Sequence, residues 1–206
     1  MNARGGSSPR LLLVPGSARL ASYNARLLDD FSLRLAGRCE LDLLLPGQVD
    51  LPIFNEDLEA DPAVMARVTA LHRRFARCHG LIVSSPDYNG QLPAYLKNLI
   101  DWVSRLAYIN PLNANPFVDR PVLLCSASTG SSGGAVAIPH ARALFGHIGC
   151  VVVGDTVCIA HAGQAWAGDG FAFADPVHEQ IDAALERVLR LAQAFEATSP
   201  AGAEAR

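Results

Sequence analysis

The feature that most constrains the fold of this 206-residue chain is a recurring pairing of a short apolar run with a longer amphipathic stretch. The first run, Leu11–Val14, contains no polar residue and ends at Pro15-Gly16. Continuous apolar runs of this length are typical of strands that are buried on both faces of a parallel sheet. The following stretch, about 22–36, repeats its apolar residues at spacings of three and four, which indicates an amphipathic helix. The pair therefore predicts a strand followed by a crossover helix.

The same pairing occurs five times along the chain. The predicted strands are about 11–14, 41–45, 80–84, 121–125 and 150–153. The predicted helices are about 22–36, a second that begins at Asp61-Pro62, 93–105, a fourth that ends near His147, and 175–195. The proline- and asparagine-rich stretch 106–120 predicts no element. This alternation predicts a single α/β domain with a parallel sheet and helices on both faces. We expect the domain to span 10–197, between a flexible N-terminus at 1–9 and a disordered tail at 198–206.

Charge and cysteine content exclude several classes of function. The net charge of −3 offers no basic surface for nucleic acid or for an anionic membrane. The five cysteines include no C-x-x-C pair and the histidines show no metal-binding spacing, so we expect no metal site. The apolar run Leu11–Val14 is too short for a signal peptide or a membrane span. We therefore expect a cytoplasmic protein.

Three loops follow the first, third and fourth predicted strands, and their compositions are unusual. We name them loop 1 (16–24), loop 2 (84–93) and loop 3 (127–134). In open α/β sheets, ligands bind beyond the carboxyl ends of the strands, where these loops lie. The three loops are therefore the candidate ligand site.

Loop 1 has the composition of a phosphate-binding turn. A helix N-terminus presents free backbone N–H groups and partial positive charge, which attract phosphate. The candidate ligands are Gly16, Ser17, Arg19, Ser22 and Asn24. Their spacing matches neither G-x-G-x-x-G nor G-x-x-x-x-G-K-[ST], which disfavours a dinucleotide turn and a Walker loop. The alternative is ordinary helix capping, with Ser22 as the N-cap and Arg19 in solvent.

Loops 2 and 3 favour a planar ligand. Two prolines and an Asn-Gly pair make loop 2 rigid, and its candidate ligands are Pro86, Asp87, Tyr88, Asn89 and Gly90. The small residues of loop 3 offer backbone donors with little bulk, and its candidate ligands are Ser128, Thr129, Gly130 and Ser131. The alternatives are an ordinary turn into the next helix for loop 2 and a flexible loop for loop 3.

Four segments in order carry a resemblance to a known family. They are Gly16-Ser-x-Arg19-x-x-Ser22-x-Asn24, Leu51-Pro-Ile-Phe-Asn-Glu-Asp-Leu58, Pro86-Asp-Tyr-Asn-Gly90 and Leu96-Lys-Asn-x-Ile-Asp-Trp102. With loop 3, they resemble the NADPH-dependent FMN reductase family, which includes quinone and chromate reductases and some azoreductases. The likeness covers about 11–150. This chain has Asp87 where the family usually has Glu, and Thr129 where the family often has proline.

The resemblance implies both a fold and a cofactor. The fold is a three-layer flavodoxin-like sandwich with a five-stranded parallel sheet in the order 2-1-3-4-5. FMN would bind with its phosphate on loop 1 and its isoalloxazine ring against 86–90 and 127–134. NADPH or NADH would be the hydride donor, and quinones or other small electrophilic molecules the acceptors. Because the flavin carries the chemistry, we expect no catalytic residue, and we expect a ping-pong cycle.

Two further expectations concern assembly and class. The helix at 93–105 is apolar over more than one face and carries Tyr95 and Trp102, which predicts a homodimer or homotetramer. The alternative function is a flavodoxin-type electron carrier, which exchanges single electrons with protein partners. Arg19 and the modest net charge of −3 favour the enzyme over such a carrier. A flavin-binding assembly module without turnover remains a third alternative.

Overall fold

Five parallel strands form the centre of the fold, in the order β2-β1-β3-β4-β5. The computed structural model describes residues 8–19, 21–110, 112–166 and 172–198. The strands are β1 (Arg10–Pro15), β2 (Glu40–Leu43), β3 (Gly80–Ser84), β4 (Pro121–Ala127) and β5 (Val151–Ile159). The predicted fold class and strand order are therefore confirmed.

Helices cover both faces of this sheet. They are α1 (Tyr23–Leu35), α2 (Pro62–Ala76), α3 (Ala94–Ile109), α4 (Ile138–His147), the short α5 (Ala162–Ala165) and α6 (Asp175–Thr198). Short 3-10 turns occur at Pro46–Gln48, Glu56–Ala60 and Ala135–Ala137. Leu11 and Leu13 of β1 pack with α1 and α6, whereas Leu12 and Val14 pack on the opposite face with α2, α3 and α4. This alternation produces the three layers of the sandwich.

β5 and α3 extend furthest beyond their predicted bounds. β5 continues to Ile159, because it resumes its pairing with β4 at Thr156 after an irregularity in the register. Within that irregularity, the guanidinium of Arg142 donates to the carbonyls of Val153, Gly154 and Asp155 at 2.8–3.0 Å. α3 continues to Ile109, into the stretch for which composition predicts no element. α6 includes Thr198, while residues 1–7 and 199–206 of the predicted termini lie outside the described residues.

The second apolar face of α3 is covered by the chain itself. The indole N–H of Trp102 donates to the carbonyl of Pro52 at 2.8 Å, and its ring packs against Phe54 with centroids 4.9 Å apart. The Asn98 amide donates to Pro52 at 2.9 Å and accepts from the Phe54 N–H at 2.7 Å. Trp102 is completely buried. Residues 52–54 therefore cover Trp102, which is a core residue and does not itself support the predicted oligomer.

Candidate active site

One asparagine joins the ends of three elements of the site. The carbonyl oxygen of the Asn24 side chain accepts hydrogen bonds from the Ser84 hydroxyl and the Ala127 N–H, both at 2.9 Å. Its amide donates to the Ala127 carbonyl at 3.0 Å. Asn24 therefore fixes loop 1 to the carboxyl ends of β3 and β4. The sequence pattern predicts Asn24 as a phosphate ligand. It does not reveal the role of Asn24 in positioning loop 1.

Close packing between loops 1 and 2 explains Gly16. Its N–H donates to the Ser84 carbonyl at 2.8 Å. A Cβ atom at Gly16 would lie 2.9 Å from the Ser85 Cα, closer than side chains tolerate. Loop 2 therefore occupies the space that a side chain at Gly16 would need.

Loop 1 presents unpaired donors beside an exposed cation. Ser22 is the N-cap of α1 and accepts from the Asn24 N–H, as the capping alternative predicts. The N–H groups of Ser17 and Ala18 donate to no residue in the described part of the chain. Arg19 is exposed and forms no ion pair with any carboxylate of the described residues. The first turn of α1 contains no acidic residue, so loop 1 is suited to an anion.

Loop 2 is a rigid two-residue turn. Tyr88 and Gln91 exchange backbone hydrogen bonds of 3.0 and 3.2 Å around Asn89 and Gly90. Those two residues have φ values of 57° and 77°, which Asn-Gly adopts readily. The Asp87 carboxylate accepts a hydrogen bond from the Gly90 N–H at 2.6 Å. This side chain, shorter than the glutamate usual in the family that the sequence resembles, is therefore bonded within the turn. The Tyr88 side chain, next to the tip of this turn, is 48% exposed.

Loop 3 is ordered by packing at its C-terminal end. A Cβ atom at Gly134 would overlap the hydroxyl of Ser126, and one at Gly133 would lie 2.8 Å from the Ala160 nitrogen. Both glycines have positive φ and both are buried. Thr129, Gly130 and Ser131 are exposed in front of them. The Ser126 hydroxyl is buried at the end of β4 and has no partner among the described atoms.

Loop 1, loop 2 and the start of α3 line one cleft of about 360 Å³. The lining residues are Gly16, Ser17, Ala18, Arg19, Tyr88, Pro93, Ala94 and Tyr95. Loop 3 lies next to loop 1 through the Asn24–Ala127 bonds, but its residues do not line this cleft. Ala94 and Tyr95 line the cleft but were not predicted from the sequence. Their position directly after loop 2 could have indicated this, because the first turn of α3 must lie at the same edge of the sheet.

The buried thiols of the described residues have raised pKa values. Burial raises the pKa of Cys78 and of Cys150 to about 12 and also raises that of Cys125, so these thiols stay protonated at neutral pH. No group of three or more His, Cys, Asp or Glu side chains in the described residues could hold a metal ion. Nor is any described helix both long and apolar enough to cross a membrane.

The donor set fits a phosphorylated planar cofactor. Loop 1 supplies N–H groups and an arginine that have no partner among the described residues, and the exposed Tyr88 provides a flat surface in the same cleft. The NADPH-dependent FMN reductase family model matches residues 9–164. The chain belongs to this family. It is accordingly an NAD(P)H-dependent oxidoreductase that uses FMN.

Similar proteins agree with this assignment. A quinone reductase from Escherichia coli (strain K12) is 30% identical over 144 residues, which are 70% of this chain and 73% of that protein. A 2-hydroxy-1,4-benzoquinone reductase from a Burkholderia species is 28% identical over 70% of this chain and 74% of its own. The fold resembles the flavoenzyme NAD(P)H:(acceptor) oxidoreductase FerB from Paracoccus denitrificans. That pair has a TM-score of 0.76 and 24% identity over 91% of this chain and 98% of FerB.

Proposed function

We propose that this FMN reductase family member transfers electrons from NADPH or NADH to quinones or other small electrophilic acceptors. The observation that supports this best is the cleft between loops 1 and 2, where free N–H groups, Arg19 and an exposed tyrosine meet. The names of the similar proteins, a quinone reductase and a 2-hydroxy-1,4-benzoquinone reductase, support the class of acceptor.

We propose that loops 1 to 3 divide the cofactor between them. Loop 1 binds the phosphate, because it combines free N–H groups with an exposed arginine and has no acidic residue in the following helical turn. Loops 2 and 3 bind the ring. The proposed cofactor ligands are Gly16, Ser17, Arg19, Ser22, Asn24, Pro86, Asp87, Tyr88, Asn89, Gly90, Ser128, Thr129, Gly130 and Ser131.

The chain's own contribution to the reaction is to bind and orient. Bound FMN would supply the redox chemistry, in which a hydride passes from the nicotinamide to the flavin and the electrons then pass to the acceptor. Loops 2 and 3 would hold the ring, and Tyr88 and Thr129 of these loops are exposed, which leaves the site open to both substrates. We expect nicotinamide and acceptor to use the same exposed face in turn, in a ping-pong cycle. This chemistry requires no protein nucleophile.

Assembly and location are further parts of this proposal. We propose a homodimer or homotetramer that buries Ile53 and Leu45, which are 87% and 51% exposed in the single chain.

We also propose a cytoplasmic location, because all five cysteines are free thiols, as is usual in a reducing compartment.

Steady-state kinetics with NADPH and 1,4-benzoquinone test this proposal. Double-reciprocal plots at several fixed quinone concentrations should give parallel lines. Intersecting lines would indicate a ternary complex and would contradict the shared face. A flavin that NADPH reduces only when a separate reductase protein is present would favour the electron-carrier alternative.

A further inference from the structure

Tyr95 lines the cleft but belongs to none of the three loops. It is the second residue of α3, is half-buried, and shares the cleft with Ser17, Ala18 and Arg19. Its side chain therefore borders the cleft into which loop 1 presents its donors.

The hydroxyl of Tyr95 is held weakly by the protein. It donates to the Pro46 carbonyl at 3.5 Å, which is beyond the usual range for an O–H donor. The same carbonyl accepts a shorter hydrogen bond of 3.1 Å from the Val49 N–H. If the phenol turned away, the Pro46 oxygen would keep a partner. The hydroxyl can therefore move to a ligand without leaving the Pro46 carbonyl unsatisfied.

The chemistry of this hydroxyl suits an anionic acceptor. Burial raises the pKa of Tyr95 to about 12, so the phenol keeps its proton at neutral pH and can only lose it at strongly alkaline pH. The neighbouring groups in the cleft are N–H donors and the guanidinium of Arg19 rather than carboxylates. A phosphate oxygen bound among these donors would accept a charge-assisted hydrogen bond from the phenol.

We propose that Tyr95 is a further cofactor ligand, whose hydroxyl leaves Pro46 and donates to the phosphate of FMN. This assignment rests on the proposed placement of the phosphate on loop 1. It adds the first turn of α3 to a site that the sequence motifs confine to loops 1 to 3. The contact is specific to the phosphate, so it distinguishes FMN from riboflavin.

Titration of apo-protein with FMN and with riboflavin tests the role of Tyr95. Tyr95→Phe keeps the ring and removes the hydroxyl. Tyr108→Phe is the matched control, because Tyr108 lies on the same helix, is 72% exposed and is not part of this cleft. Tyr95→Phe should weaken FMN about tenfold, the low end for a hydrogen bond to a charged group, and should leave riboflavin affinity unchanged. Melting of the three apo-proteins checks that all are folded.

Each other outcome would overturn the assignment. Unchanged FMN affinity in Tyr95→Phe would show that the hydroxyl stays on Pro46. An equal loss for FMN and riboflavin would place the hydroxyl on the ribityl chain or the ring. A similar loss in Tyr108→Phe would show a general effect of altering α3. A wild-type protein that binds riboflavin but gains nothing from the phosphate would instead contradict the placement of phosphate on loop 1.

Discussion

Replacement of Arg19 by alanine should weaken FMN binding much more than it weakens the fold. Arg19 is exposed and pairs with no carboxylate of the described residues, so its removal leaves no cavity and no orphaned partner. A change of this kind usually alters the free energy of unfolding by about 0.5 kcal/mol or less. A hydrogen bond to a charged phosphate contributes roughly 1.5–3 kcal/mol. The dissociation constant of FMN should therefore rise about 10- to 150-fold.

Fluorescence titration of the apo-protein with FMN measures this effect, and thermal melting of the apo forms measures the fold. Arg73→Ala is the control, because Arg73 is an exposed arginine on α2 away from the three loops. It should leave both quantities nearly unchanged. A lowered melting temperature in Arg19→Ala with unaltered FMN affinity would refute the reasoning, because Arg19 would then stabilise the fold and loop 1 would not bind the phosphate.

Three further predictions follow from particular contacts. Trp102→Ala should destabilise the apo-protein by about 3–5 kcal/mol, because it empties a fully buried site under residues 52–54; a loss below about 1 kcal/mol in denaturant unfolding would show that this segment is not packed as described. Gly134→Ala should lower the free energy of unfolding by at least about 1–2 kcal/mol, because Gly134 has a φ of 83°. Ser126→Ala should partly restore it, since the new Cβ would meet the Ser126 hydroxyl, and no rescue in the double variant would argue against that clash. Ile53→Asp should convert the oligomer to a monomer in light scattering, and a wild-type mass near 21.9 kDa at micromolar concentration would rule out the oligomer.

The positions of the strands were predictable from local composition, whereas their order was predictable only from the resemblance to the family. Leu11–Val14 and Leu81–Val83 are buried, as their uninterrupted apolar runs indicate. The end of β5 was not predictable, because Gly154-Asp155 resembles a turn and the strand resumes beyond it through its pairing with β4. Local pattern cannot report a hydrogen bond between distant parts of the chain.

The clustering of the three loops was predictable, but the roles of their individual residues were not. The glycines and polar residues after β1, β3 and β4 predict a ligand site there, and the structure places those loops at one edge of the sheet. The positioning role of Asn24 depends on a bond to Ala127, which is 103 residues away in the sequence. Tyr95 lines the cleft because of the path of α3, and Trp102 is covered by residues 52–54. Each of these roles arises from tertiary packing, which composition does not encode.

Anaerobic addition of NADPH to the purified protein tests the central claim most directly. The protein should carry a yellow cofactor that mass spectrometry after heat release identifies as FMN. NADPH should bleach the flavin absorbance, and a stoichiometric amount of 1,4-benzoquinone should restore it. Release of FAD alone, or a flavin absorbance that NADPH leaves unchanged, would contradict the account.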